Sequence, residues 1–190
     1  MGKNKKSNIS ENQHPNRIGF KEGLGYAFGD AGNLFILTYV SSYLKVFYTD
    51  VLKVAESKIS TLLLISRLWD AVNDPMWGSI VAKRKPSKEG KFRPYLKWIA
   101  IPVSVFAVLC FVNFREFTNN ESLVTFLMYA TYIGFGMMYT AINIPYGSLA
   151  SVITDDPEGR TLLSTFRSVG AGLGGAIPLL IGPMIIYTVT

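Results

Sequence analysis

Residues 60–82 read Ser60-TLLLISRLWDAVNDPMWGSIV-Ala82, a run long enough to cross a bilayer, for which about 20 apolar residues suffice. Arg67, Asp70 and Asp74 interrupt it near its middle. Each ionisable group at membrane depth costs at least ~2.5–3.5 kcal/mol on insertion scales. Three of them, about one turn apart, mark a place where something charged is bound or moved.

The rest of the chain fits a membrane setting. Of 190 residues, 49% are hydrophobic and only 17% charged, an unusually greasy composition for a soluble protein. Stretches of spanning length fall at about 24–49, 60–82, 95–114, 122–153 and 162–190, several broken by Gly or Pro, as membrane helices tolerate. Residues 1–23 read as a polar tail containing the single histidine, His14. The first apolar stretch follows too long a polar segment, and is itself too long, for a cleaved signal peptide. Cys110 is the only cysteine, so the chain cannot close a disulfide on itself or build a cysteine metal cluster.

A net charge of +6 does not imply nucleic acid, because of how it is distributed. Lys3, Lys5, Lys6, Arg17 and Lys21 precede the first span, and Lys83, Arg84, Lys85, Lys88, Lys91, Arg93 and Lys97 crowd the loop between the second and third. The other side carries Lys53, Lys58 and Arg115, with Lys45 near a helix end. The positive-inside rule then puts the N-terminus and the basic loop in the cytoplasm. Asn113–Glu121 reads as a short outer loop, whose Asn120-Glu121-Ser122 is a glycosylation sequon by pattern. Asp155–Arg160 reads as an inner turn, and Pro145 as the site of a bend.

Asp70 and Asp74 are i and i+4, so on a helix they share a face with Cβ atoms ~5–6 Å apart. Two carboxylates that close at low dielectric do not both ionise without a counter-charge. A bound cation, a shared proton or Arg67 would each serve. Asn73 adds an amide oxygen, and such hard oxygen donors suit Na⁺. The plainer reading is a buried Arg–Asp network that only fixes helix packing. Asp30 lies beside Gly25, Gly29 and Gly32 and faces either a cavity or the inner interface. Thr140 and Asn143, a turn apart near Tyr139 and Tyr146, could contact sugar hydroxyls and a sugar face or merely bond neighbouring helices. Arg167 needs a carboxylate or cavity partner. The Gly170-x-x-x-Gly174 pair reads as close helix packing. A protease reading fails on geometry, since both aspartates occupy one helix and the only histidine sits in the tail.

Five segments carry a family resemblance: YTD at Tyr48–Asp50, SRLWDAVNDPMWG at Ser66–Gly78, GKFRPYLKW at Gly90–Trp98, NIPYGSL at Asn143–Leu149 and GRTLLSTFRSVGAGLGG at Gly159–Gly175. Together they resemble the glycoside–pentoside–hexuronide:cation symporters, the melibiose-permease branch of the major facilitator superfamily. The resemblance runs from about Gly23 to the end. It implies an all-α polytopic membrane protein in which residues 24–190 form part of an N-terminal bundle, the C-terminal helical bundle being missing from this chain.

By the same resemblance, Asp70 and Asp74 would bind the coupling cation, Na⁺ or H⁺, with Asn73 and Thr140 beside them, and no other cofactor is implied. Arg67 and Arg167 would line the central cavity, and the basic loop would steady one transport state. Tyr139 and Asn143 stand among the substrate contacts. The helix-one and helix-four positions that are acidic in melibiose-type members are Leu34 and Asn143 here, with Asp30 and Asn33 in place to take over the helix-one role. The expected substrate is thus a sugar, pentoside or uronide, carried through the cytoplasmic membrane by a non-enzyme. Two rival readings are a cation-coupled carrier of lipids or other amphiphiles, and a truncated membrane protein that only packs with partners.

Overall fold

The computed structural model describes residues 18–87 and 90–188. The expected tail up to residue 17, with His14, and the basic-loop residue Lys88 lie outside them. Among the described residues five α-helices follow in order: α1 (Phe20–Val46), α2 (Glu56–Lys83), α3 (Arg93–Leu109), α4 (Glu121–Ile153) and α5 (Pro157–Thr188). A π-turn, Phe47–Val51, extends α1, and a 3-10 turn, Phe114–Glu116, precedes α4.

Helix ends follow local polar chemistry and correct several expected boundaries. The first helix begins at Phe20 rather than 24, because the Glu22 carboxylate accepts a hydrogen bond from the Gly19 N–H (3.0 Å), as in half of a capping box. Helix α3 stops at Leu109, short of the expected 114, and the chain turns before Asn113, whose side chain accepts from the Arg115 N–H (3.3 Å). The inner turn expected at Asp155–Arg160 is shorter. Asp156 accepts from Gly159 N–H (3.0 Å) and Pro157 already opens α5, the arrangement favoured at a helix start. Asn120 of the sequon caps α4, its Oδ1 accepting from the N–H groups of Ser122 (2.9 Å) and Leu123 (3.3 Å). Helix α4 continues through Pro145.

Two parallel pairs organise the bundle. Helices α1 and α5 pack along much of their length, and α2 packs on α4, which also carries α3. On α5, a Cβ at Gly170 would overlap the Ala27 carbonyl, and one at Gly174 the Ala31 carbonyl. Small residues one turn apart on both helices therefore set their separation. Away from the basic loop, Tyr48, Leu52, Ile59, Leu62, Cys110, Val124 and Met128 fill a core with almost no solvent exposure. There Arg115 ties the connections together: its Nε donates to the Leu52 carbonyl and its Nη2 reaches Lys53 O at 3.5 Å and Glu121 at 3.6 Å.

The exterior is apolar. Leu64, Leu68 and Val72 of α2, Trp98, Ile101, Val105 and Val108 of α3, and Leu173 and Leu180 of α5 are all exposed, a surface suited to lipid rather than water. Among the described helices α4 alone is long and apolar enough to cross a membrane by length and composition. Helices α1, α2 and α5 carry the ionisable residues taken up next.

Candidate functional site

The site is organised by one stripe of α4. Gly136, Thr140, Asn143 and Gly147 recur at i, i+4, i+7 and i+11, the spacing that keeps residues on one helix face. Toward α2 this stripe meets the aspartates. A Cβ on Gly136 would sit 3.6 Å from Asp70 Oδ1, and the Thr140 hydroxyl donates to Asp74 Oδ1 at 2.9 Å. Asp70 is half-buried and Asp74 exposed on the open face of the chain. Between them in sequence, Asn73 is fully buried, and neither its amide nitrogen nor its oxygen has a hydrogen-bond partner among the described residues. Buried polar groups are nearly always paired, so an amide left this way beside two carboxylates stands out.

One turn further along, the stripe meets α1 and α5. Asn33 donates through Nδ2 to Asn143 Oδ1 at 3.3 Å. Asp30, 1% exposed, accepts from Arg167 Nε at 3.3 Å, and Arg167 retains 38% exposure. The Arg167 guanidinium lies over the Tyr146 ring, 5.5 Å from its centroid. Tyr146 also stacks on Tyr26 with centroids 4.8 Å apart and planes at 12°. Each tyrosine hydroxyl donates to the other's backbone carbonyl, Tyr26 at 3.3 Å. Tyr26 was not singled out from sequence, and no spacing or charge pattern would have marked it.

The structure thus joins Asp74 with Thr140, Asp30 with Arg167, and Asn33 with Asn143. It does not join Arg67 to the aspartates: Arg67 is exposed and forms no ion pair among the described residues, so of the three remedies for the carboxylate pair the internal arginine is the one the geometry does not supply. Tyr139 is half-buried and packs against Phe135 at 5.9 Å, with no hydrogen bond to the stripe. No group of three or more His, Cys, Asp or Glu side chains capable of holding a metal occurs among the described residues, so a cation here would rest on two carboxylates with hydroxyl and amide oxygens.

A larger cavity, about 600 Å³, lies between α1, α3 and α4. Its lining is mainly apolar, with Glu22, Arg93, Asn33, Tyr26 and Tyr146 included, and Asp70, Asp74 and Arg167 do not line it. The cavity thus borders the site through Asn33, Tyr26 and Tyr146, while the carboxylates and Arg167 converge on the α4 stripe outside it.

Residues 25–190 match the family model described as MFS/sugar transport protein. The chain belongs to that family. Its five helices are accordingly an all-α major-facilitator N-terminal bundle, and MFS/sugar transport proteins are integral membrane transporters rather than enzymes. Among curated relatives, the isoprimeverose transporter of Lactiplantibacillus pentosus is 37% identical over 92% of this chain and 36% of its own length. The glucuronide carrier protein homolog of Escherichia coli K12 is 35% identical over 89% of this chain and 36% of its length. The putative glycoside/cation symporter YagG of the same organism is 36% identical over 83% of this chain and 34% of its length. The chain spans about a third of each of these MFS/sugar transport relatives.

Proposed function

We propose that the protein carrying this chain takes up a sugar or glycoside across the cytoplasmic membrane together with Na⁺ or H⁺. The observation behind this reading is the α2–α4 contact, where Asp70 lies against Gly136 and Asp74 accepts from Thr140, with the Asn73 amide unpartnered among the described residues. Two carboxylates one turn apart repel at low dielectric, and a cation or proton relieves that repulsion. The Asn73 and Thr140 oxygens complete a hard donor set suited to Na⁺. The relatives' names, which include a glycoside/cation symporter, a glucuronide carrier and an isoprimeverose transporter, support the same class.

In this reading Asn33, Asn143, Tyr139, Arg67, Asp30 and Arg167 form the substrate wall, which lies within about two turns of the cation site along α4. Loading the cation removes net negative charge next to that wall and favours the substrate. Coupling of this kind is reciprocal, so the substrate tightens the cation by the same factor. The excess of Lys and Arg in the sequence between α2 and α3 supports a cytoplasmic position for that loop and the N-terminus. A second helical bundle would close the wall from the opposite side.

The test is Asp74→Asn in the transport-competent protein, with uptake measured against imposed Na⁺ and pH gradients in membrane vesicles. Loss of all cation stimulation, with normal membrane insertion, is expected. Uptake that still responds fully to both gradients would remove Asp74 from the coupling site.

A further inference from the structure

Resting on the symport reading, we propose that Asp30 sets the charge class of the substrate: by holding Arg167 as a neutral pair, it selects uncharged glycosides over uronides. The argument begins with how Arg167 is held. Its Nε is committed to Asp30 at 3.3 Å, and its flat face lies over Tyr146 at 5.5 Å. Its Nη1 lies against Gly147, where a Cβ would sit 3.7 Å away. The Tyr26 hydroxyl also lies within hydrogen-bonding reach of the guanidinium, and the side chain keeps 38% exposure. A partly exposed guanidinium therefore carries a charge already balanced by a carboxylate that is 1% exposed.

The charges along the whole stripe then balance in one state. Arg67 and Arg167 stand against Asp30, Asp70 and Asp74, and a monovalent cation or proton on the aspartate pair makes the wall neutral. A neutral sugar adds only hydroxyls, which the partly exposed Arg167 guanidinium, Asn33 and Asn143 can meet. A uronide whose carboxylate falls against Arg167 meets a guanidinium already balanced by Asp30, and a charge left unpaired there, in a poorly hydrated site, is strongly disfavoured. Without the Asp30 charge, the same Arg167 fork becomes a bare guanidinium, which binds carboxylates in bidentate fashion. Selectivity here arises from denying the anion its counter-charge as much as from contacting the sugar.

The experiment uses vesicles containing the transport-competent protein and matched competitor pairs that differ only in the carboxylate, p-nitrophenyl β-glucoside with β-glucuronide and p-nitrophenyl β-galactoside with β-galacturonide. The readout is the ratio of inhibition constants, uronide over neutral glycoside, within a pair. Wild-type protein should favour the neutral member. Asp30→Asn should move the ratio toward the uronide by about tenfold or more, roughly 1.4 kcal/mol. Arg167→Gln, which leaves Asp30 uncompensated, should move it the other way, and this variant carries the test if Asp30→Asn fails to insert. A purely structural role would weaken both competitors alike and leave the ratio fixed, which would overturn the proposal. Wild-type vesicles that respond to none of the sugars would instead sink the symport reading on which it rests.

Discussion

Replacing Gly170 by alanine adds one methyl group where α1 and α5 leave no room. The new Cβ would overlap the Ala27 carbonyl oxygen and lie 2.9 Å from the Ala27 Cα, whereas ordinary contacts begin at 3.4 Å. Relief requires the helices to part locally by about 1 Å, and overpacking of this kind costs about 1–3 kcal/mol. For a chain of this size each kcal/mol moves the melting temperature by about 2–4 °C, so a fall of roughly 3–10 °C is expected. Gly172 supplies the control. A Cβ there meets nothing within 4 Å, and alanine for glycine in a helix interior gains up to about 1 kcal/mol. One chemical change, two residues apart, should therefore act with opposite signs. The assay is the monodisperse fraction surviving a heating series in detergent, read by size-exclusion chromatography. Because Asp30 and Arg167 each lie three residues from this contact, Gly170→Ala should also depress uptake, and Gly172→Ala should not. Equal melting of the two variants would refute the claim that backbone approach at Ala27 sets the α1–α5 spacing.

Two further outcomes follow from other contacts. Thr140→Val removes the hydrogen bond to Asp74 at nearly constant volume. Bonds to charged groups are worth about 1.5–3 kcal/mol, so the cation concentration for half-maximal uptake should rise roughly 10–100-fold while saturated uptake changes less. Arg115→Ala leaves the Leu52 and Lys53 carbonyls without their side-chain donor. Thermal unfolding in detergent should show a loss of about 1–3 kcal/mol, with the cation dependence of uptake unchanged.

What the sequence disclosed follows from what periodicity encodes. A spacing of four residues is enough to place Asp70 and Asp74 on one helix face, and a G-x-x-x-G pair is enough to suggest close packing. Neither says which helix lies opposite. The partner of Arg167 is Asp30, 137 positions away, and that pairing depends on how α5 is rotated against α1, a property of the Ala27 and Ala31 contacts. Asn120 illustrates a different limit. Its three-residue pattern fits a glycosylation acceptor, yet the same side chain satisfies two N–H groups at the start of α4. Helix α3 ran short of its apolar stretch because hydrophobicity alone does not sense the turn before Asn113. The reciprocal Tyr26–Tyr146 clasp uses two backbone carbonyls, which no side-chain pattern records.

Cys110, buried without exposure in the core away from the basic loop, has a practical consequence. It is the sole thiol of the chain, and close packing around it shields it from water-borne reagents. This stretch of the protein thus already has the silent background that thiol-labelling work usually obtains by mutating cysteines away. A single cysteine placed at an exposed position of the α4-facing wall would be the one accessible thiol within these 190 residues, and its labelling rate would report how open that wall is as cation and sugar are added.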